Sequence, residues 1–345
     1  MVIFTELTMI PYLQSGTYTN TQKNNLTLTG GLEAQPIKNW RIFFDYTYRQ
    51  NNENYEALNV APMIPGADNE TLYKGTRQEL GVMENGQFTR SSALSQYQSI
   101  NLYSNYMFSL ADKHNFTVMA GYQEENYAYS YLYESVTDMI STNNPGLNLG
   151  TGEKSTTDTR NGWATRGFFG RINYDYSNKY FIAGNLRYDG SSRFLRKDRW
   201  GLFGSFSLGW NMAAEDFFPV DENIINQLKP RVSWGTLGNQ NTNSYYPMYL
   251  LQTVKPNGGS WLMGDSKPTV AGMPGTISSS LTWETVQSLN IGFDLGMFRN
   301  RLNINFDYFI RKTLDMVGPA SEVASIYGIG MPASNNTDYA PKDGK

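Results

Sequence analysis

Arg199-Trp-Gly-Leu-Phe-Gly-Ser-Phe-Ser-Leu-Gly-Trp-Asn-Met212 is the stretch that decides the fold. Its even positions hold Trp200, Leu202, Gly204, Phe206, Leu208, Trp210 and Met212; its odd positions hold Gly201, Phe203, Ser205, Ser207, Gly209 and Asn211. A period of two means a β-strand with one apolar face and one face of mostly small or polar residues. Trp200 and Trp210 share the apolar face. A strand rise of about 3.3 Å per residue separates them by ~33 Å. A tilt of roughly 45° leaves about 23 Å along the membrane normal, close to the apolar band of an outer-membrane barrel with an aromatic girdle at each rim. A strand of a soluble sandwich also turns an apolar face inward, so the rest of the chain must separate the two.

The chain has 345 residues and a mean hydropathy of −0.49. No run approaches the ~20 apolar residues that a transmembrane helix needs. A transmembrane barrel escapes that test, because only alternate residues face lipid. Aromatic residues make up 14% of the chain, which suits strands and interfacial girdles. The net charge of −3 supplies no basic field for nucleic acid. Cysteine is absent, which excludes disulfides and thiolate metal sites. The start, Met1-Val-Ile-Phe-Thr-Glu6, lacks the three regions of a signal peptide. Either the protein is not exported, or more of it lies outside this chain.

Alternation recurs along the chain. Leu26 to Ala34 and Trp40 to Tyr48 flank a short join containing Pro36 and Asn39, which reads as a hairpin. Ile100 to Leu110 meets Asn115 to Tyr133 through Ala111-Asp-Lys-His114, and Arg166 to Tyr176 meets Tyr180 to Tyr188 through Ser177-Asn-Lys179. Leu289 to Met297 turns through Arg299-Asn-Arg301 into Leu302 to Ile310. Long polar segments separate these hairpins: Asn51 to Ser95, Ser135 to Arg160 and Asn239 to Ser280. Short and long connections taking turns are the signature of outer-membrane barrels, with short periplasmic turns and long extracellular loops. Leu228 to Leu237 should climb and Leu281 to Met297 descend, so everything from Asn239 to Ser280 is one external loop, however strand-like Tyr245 to Val254 looks. The fold class is therefore all-β: a partial antiparallel transmembrane β-barrel of about 11 strands, against about 22 in plugged transporters. Ala320 to Lys345 reads as an unfinished external loop and Asp221 to Gln227 as one helical turn.

Three ordered blocks carry a family likeness. Leu186-Arg-Tyr-Asp-Gly-Ser-Ser-Arg-Phe194 with Asp198 to Trp210 closely resembles the SusC/RagA family of TonB-dependent outer-membrane transporters. So do Leu228-Lys-Pro-Arg-Val-Ser-Trp-Gly-Thr-Leu-Gly-Asn-Gln240 and the blocks from Leu281-Thr-Trp-Glu-Thr285 to Asp307-Tyr-Phe-Ile-Arg-Lys-Thr313. One departure is Gly204, where the family more often has Pro. The resemblance implies that residues 1–345 are part of a receptor barrel, with signal peptide, plug and C-terminal strands outside them. It implies an outer-membrane location and import of oligosaccharide or peptide. It also implies a SusD-like surface lipoprotein as lid, and TonB acting through a missing N-terminal segment.

Competing chemistry is weak. His114, the only histidine, reads as a solvated turn residue, and a catalytic base needs a positioned partner. No G-x-S-x-G elbow or H-E-x-x-H helix occurs. Gly328-Ile-Gly330 lacks a third glycine. No cofactor or metal is expected, and no catalysis. Asp189 and Arg193 lie at an external strand end, where they read as substrate or lid contacts or as a tight turn with Gly190 supplying unusual φ. Asn239 and Gln240 carry the same two readings. Tyr245, Tyr246 and Trp261 in the long loop could pack on sugar faces, meet a lid, or pack on the loop itself. Trp40, Trp200, Trp210 and Trp283 read as girdle residues, and Arg41, Asp45, Arg171, Asp175, Asp294, Asp307 and Arg311 as lumen charges. The alternatives to an importer are a soluble secreted β-sandwich that binds carbohydrate and an outer-membrane barrel enzyme.

Overall fold

A computed structural model describes residues 16–60, 86–219, 221, 223–242, 244–249, 252, 254–272, 276–278, 281–318, 332 and 334–339. Eleven strands form one sheet. They are β1 (Tyr18–Ile37), β2 (Trp40–Asn59), β3 (Gln87–Leu110), β4 (His114–Thr137), β5 (Lys154–Tyr176), β6 (Tyr180–Ser191), β7 (Trp200–Trp210), β8 (Ile225–Asn239), β11 (Glu284–Met297), β12 (Leu302–Gly318) and β13 (Ser334–Tyr339). The short β9 (Val254–Lys255) and β10 (Val270–Ala271) pair only with each other, so β8 and β11 are direct neighbours. The stretch between them is one loop, as expected. Sheet order otherwise follows chain order, and every pair from β5 onward is antiparallel.

The chain divides into two compact units: residues 1–29, 47–98 and 127–162, and residues 30–46, 99–126 and 163–345. In the second unit, register sets whole rows of like side chains across the sheet. Ile182, Leu208, Val232, Ile291 and Tyr308 form one row. The neighbouring row on the opposite face is Asn173, Ala183, Ser207, Ser233 and Asn290, and it ends on an apolar residue, Phe309 of β12. Phe206 is 47% exposed, Leu208 40%, Ile291 51% and Ile304 41%. A sandwich would bury this face against a second sheet. None covers it among the described residues, so the sandwich reading fails and the apolar face is the one that meets hydrocarbon.

Tight hairpin turns of the second unit use left-handed backbone at their tips: Asn39, Ala111 and Asp112, Ser177 and Asn178, then Phe298 to Asn300. Neighbouring turns are bonded side by side. Ser177 N–H donates to Lys113 O (2.8 Å), Asn211 N–H to Lys179 O (2.7 Å) and Phe298 N–H to Ile224 O (2.9 Å). The wider β7–β8 connection contains a 3-10 turn at Met212–Ala214. Glu215 pins it: Lys179 Nζ donates to Glu215 Oε2 (3.0 Å) and Trp210 Nε1 to Oε1 (3.1 Å). Hydrogen bonds from Tyr180, Lys179 and Trp210 hold the Glu215 carboxyl down at about 2.

Several expectations need correction. The polar segment Asn51 to Ser95 contributes strand at both ends, to Asn59 and from Gln87; residues 61–85 lie outside the described ones. Ser135 to Arg160 shrinks likewise, with β4 reaching Thr137 and β5 starting at Lys154. Past the membrane both faces of a strand are wet, so alternation disappears while the ladder continues. Ser334–Tyr339 is a strand on β12 rather than loop, and the flanking residues 319–331 and 340–345 lie outside the described ones. Asp221 accepts from the N–H groups of Ile224 and Ile225, but Ile225 already begins β8. His114 is not a solvated turn residue; it opens β4, with its Nδ1 2.9 Å from Tyr174 Oη. Gly190 does not supply unusual φ. It lies in β6 opposite Trp200, whose ring leaves 2.9 Å for a Cβ.

Two predictions follow from these faces and this rim. Phe206→Arg should lower barrel stability by about 2–4 kcal/mol, the cost of a cation near the lipid midplane between the Trp200 and Trp210 levels, while Ser207→Arg on the other face should cost far less; unfolding in bilayers by urea measures both. The Glu215 contribution has a depressed carboxyl, so it is complete above the ordinary value of 4.5 and is lost as pH falls toward about 2. Thermal unfolding of the detergent-solubilised barrel over that window should fall more steeply for the natural protein than for Glu215→Gln.

Candidate functional site

The long-loop end of the second unit builds the site. At the end of β6, Arg187 and Asp189 share a face because they are two apart. Arg187 Nε donates to Asp189 Oδ2 (2.8 Å) and its Nη2 to Gln123 Oε1 on β4 (2.9 Å). The guanidinium also lies 5.5 Å from the Phe169 ring centre. Gln123 Nε2 donates to Glu125 Oε1 (3.2 Å), and Thr165 Oγ1 to Glu125 Oε2 (3.3 Å). These groups line one side of a cavity of about 1050 Å³. Ser205, Ser207, Ser233, Ser288, Asn185 and Asn290 face it from the small-residue side of the sheet, with Asn239, Gln240 and Trp283 at its upper edge. Arg187 and Asp189 neutralise each other and Glu125 is held by Gln123 and Thr165, so the cavity presents amides and hydroxyls beside aromatic and aliphatic surface from Phe169, Phe203 and Trp283.

A buried knot holds that edge in place. Trp283, only 8% exposed, packs on Phe194 (5.4 Å) and edge-on against Phe203 (5.5 Å), with Leu281 alongside. Its Nε1 donates to Arg199 O at 2.8 Å. This corrects the girdle reading of Trp283; Trp200 stays exposed and stacks on Tyr188 at 4.8 Å, as a girdle residue should. Gly238 is required here because a Cβ would meet the Phe203 ring at 2.2 Å. Glu284 bridges the edge: Asn239 Nδ2 donates to its Oε2 (2.6 Å) and Val317 N–H to its Oε1 (2.9 Å). Asn335 reaches back to accept from Thr282 N–H (2.9 Å) and donate to Thr282 O (3.0 Å).

Four of the expected residues are therefore built into this edge. Asp189, Asn239 and Gln240 line the cavity. Arg193 links the β6–β7 loop to the β8–β11 loop, with its guanidinium 5.0 Å from the Tyr245 ring and Nη1 3.4 Å from Thr242 O. Among the described residues, Arg193 Nε and Gln240 Oε1 are buried without a partner. Tyr246 stacks edge-on with Tyr249 (6.2 Å), and it and Trp261 are exposed away from the cavity. Sequence reasoning missed Arg187, Gln123, Glu125 and Glu284. Arg187 was readable as a partner two residues before Asp189; the others come from distant strands. The lumen list also lacked Arg231, which donates to both Asp294 (3.3 Å) and Asp307 (2.7 Å).

One-layer sheet, lipid-ready face and polar opposite face define a transmembrane β-barrel wall. Residues 5–341 match the family model for the TonB dependent receptor-like β-barrel, and the chain belongs to that family. It is similar to the TonB-dependent receptor SusC of Bacteroides thetaiotaomicron, 31% identical over 227 residues, or 65% of this chain and 22% of that protein. The TonB-dependent receptor P39 of Formosa agariphila is also 31% identical, over 76% of this chain and 26% of its own length. The chain thus spans about a quarter of the length of these relatives. Two solved structures, the RagAB peptide transporter (TM-score 0.78, 21% identity) and the RagAB peptide importer in the closed-closed state (TM-score 0.79, 22% identity), share its fold. Each covers 95% of this chain and is itself covered to 34%. The chain is of the SusC/RagA type and resides in the outer membrane; TonB-dependent receptors are transporters, not enzymes.

Trp283→Ala should cost about 3–5 kcal/mol, the range for deleting a buried aromatic. The loss should appear as a lower melting temperature of the extracted barrel, with Trp283→Phe in between because it keeps the packing but abandons the Arg199 carbonyl.

Proposed function

We propose that residues 1–345 form one stretch of the barrel wall of an importer that moves oligosaccharides or peptides across the outer membrane. In this reading TonB supplies the drive through another part of the receptor. A SusD-like surface lipoprotein closes the long-loop end. Asp189, Arg193, Asn239 and Gln240 face cargo or the segment that cargo displaces, and Tyr245, Tyr246 and Trp261 meet the lid. The observation that carries the reading is the cavity of about 1050 Å³ toward the long-loop end, where the Arg187, Asp189, Gln123 and Glu125 network and the serines and amides of the sheet stand among aromatic and aliphatic side chains. A wall that only sealed the membrane would have no need of it. Exposed aromatics on the β8–β11 loop suit a protein partner, since such residues are enriched at interfaces.

The test is uptake by cells that make the receptor. Labelled oligosaccharides and oligopeptides of matched size are offered to the parent strain and to one lacking the gene. Uptake of one class should be lost with the gene and, in the parent, with a protonophore. Uptake that survives both treatments for every cargo would overturn the proposal. Gln240→Ala and Trp261→Ala should each slow uptake of the affected class while the barrel remains in the outer membrane at normal abundance.

A further inference from the structure

The lipid side of the second unit carries a groove that cargo import does not use. It lies on the seam between β7 and β8, at the short-turn end. The ladder on this seam runs from Ser205 opposite Gly235 to Gly209 opposite Arg231 and stops. The next residue of β8 is Pro230, which has no N–H to donate to Trp210. β7 ends there and turns into Met212–Ala214, while β8 continues along β11. The strands part and leave a groove of about 510 Å³, within the ~300–1,000 Å³ typical of small-molecule sites. Tyr180, Ile182, Leu208, Trp210, Val232 and Ile291 wall it. Arg231 adds only its stem, because its guanidinium is held by Asp294 and Asp307 on the opposite face.

Charges stand next to this apolar groove, joined to its Trp210 wall by the bond from Trp210 Nε1 to Glu215. Lys179 Nζ stands 3.0 Å from Glu215 Oε2 and 3.8 Å from Asp216 Oδ1, beside Trp210, and the Asp216 side chain is fully exposed. One ammonium and two carboxylates at the membrane surface match a headgroup that bears both signs and disfavour one that is purely anionic. The groove is continuous with the hydrocarbon-facing surface, and an acyl chain is the ligand that this surface meets. We propose that the groove binds one acyl chain of an amine-bearing glycerophospholipid of the periplasmic leaflet, with its phosphate at Lys179 and its ammonium at Asp216. The site rests on the outer-membrane location and not on the cargo.

The experiment is native mass spectrometry of the receptor as the cell makes it, extracted from outer membranes in mild detergent. The probes are phosphatidylethanolamine and phosphatidylglycerol added in equal amount. The natural protein should retain one phosphatidylethanolamine. Val232→Trp, which fills the groove, should lose it; Leu202→Trp, on the same face away from the groove, should keep it. Asp216→Asn should remove the preference over phosphatidylglycerol. Each variant must show the heat-modifiable mobility of a folded barrel, and Val232→Leu gives a milder fill if the tryptophan variant does not fold. No retained lipid, retention unaffected by filling the groove, or preferential retention of phosphatidylglycerol would overturn the proposal. Loss of uptake with lipid retention intact would instead fall on the import reading alone.

Discussion

Hydrocarbon offers no partner to a backbone N–H or C=O, so a chain crossing it as strands must pair them all within the sheet. That constraint orders the rest of this structure. From β5 to β12 each strand is laddered to its neighbours in chain order, apart from the β9–β10 hairpin lifted out above the β8–β11 join. The β8–β11 ladder slips by one residue between Gly296 and Met297, and the β7–β8 ladder is the short one, with a local remedy or consequence at each of its ends. At the upper end the Thr236 hydroxyl accepts from Gly204 N–H (3.1 Å) and donates to Gly204 O (3.3 Å), standing in for a strand partner. A proline at position 204, as the family more often has, would have no N–H to offer there. At the lower end Pro230 removes the donor, and the strands separate.

Once the ladder is fixed, period two assigns the faces. One face is exposed and apolar because its environment is lipid; the other collects serines, amides and charges that pair across strands, as Arg231 does with Asp294 and Asp307. Neither face provides a core of the globular kind. The buried clusters sit instead under the long loops: Leu58, Phe88, Val136 and Met139 in the first unit, and Phe194, Phe203, Leu281 and Trp283 in the second. Hydrophobic burial, which elsewhere holds a domain together, serves here to anchor loops to strand ends.

Most of the barrel was legible because alternation is a local signal. Trp200 to Met212 announced its faces, and the turns announced themselves through short polar joins such as Ser177-Asn-Lys179. Legibility stopped where local chemistry ceased to alternate. Lys154 to Arg160 is strand, yet polar on both sides. Ser334–Tyr339 is too short and too polar to signal a strand, and is held by β12 and by Asn335 bonding to Thr282. Trp283 looks like a girdle residue from its strand-end position; only its distant neighbours Phe194 and Phe203 make it buried. At the cavity, residue type marked Asp189, Asn239 and Gln240, but Gln123, Glu125 and Glu284 are functional neighbours only through register.

The two ends of the wall are held by different mixtures of forces. At the short-turn end, backbone bonds run from one turn to the next, and Glu215 adds side-chain bonds across the widest connection. Such bonds tie neighbouring turns together, even where β7 and β8 part above them. At the other end in the second unit, backbone bonds from Ser191 to Arg199 and from Ser192 to Ala164 are joined by side-chain contacts: an aromatic knot, the Glu284 bridge, and Arg193 against Tyr245. Side-chain contacts can exchange partners without breaking the ladder beneath them. The wall is thus tied turn to turn by its backbone at one end, and by backbone and side chains together at the other.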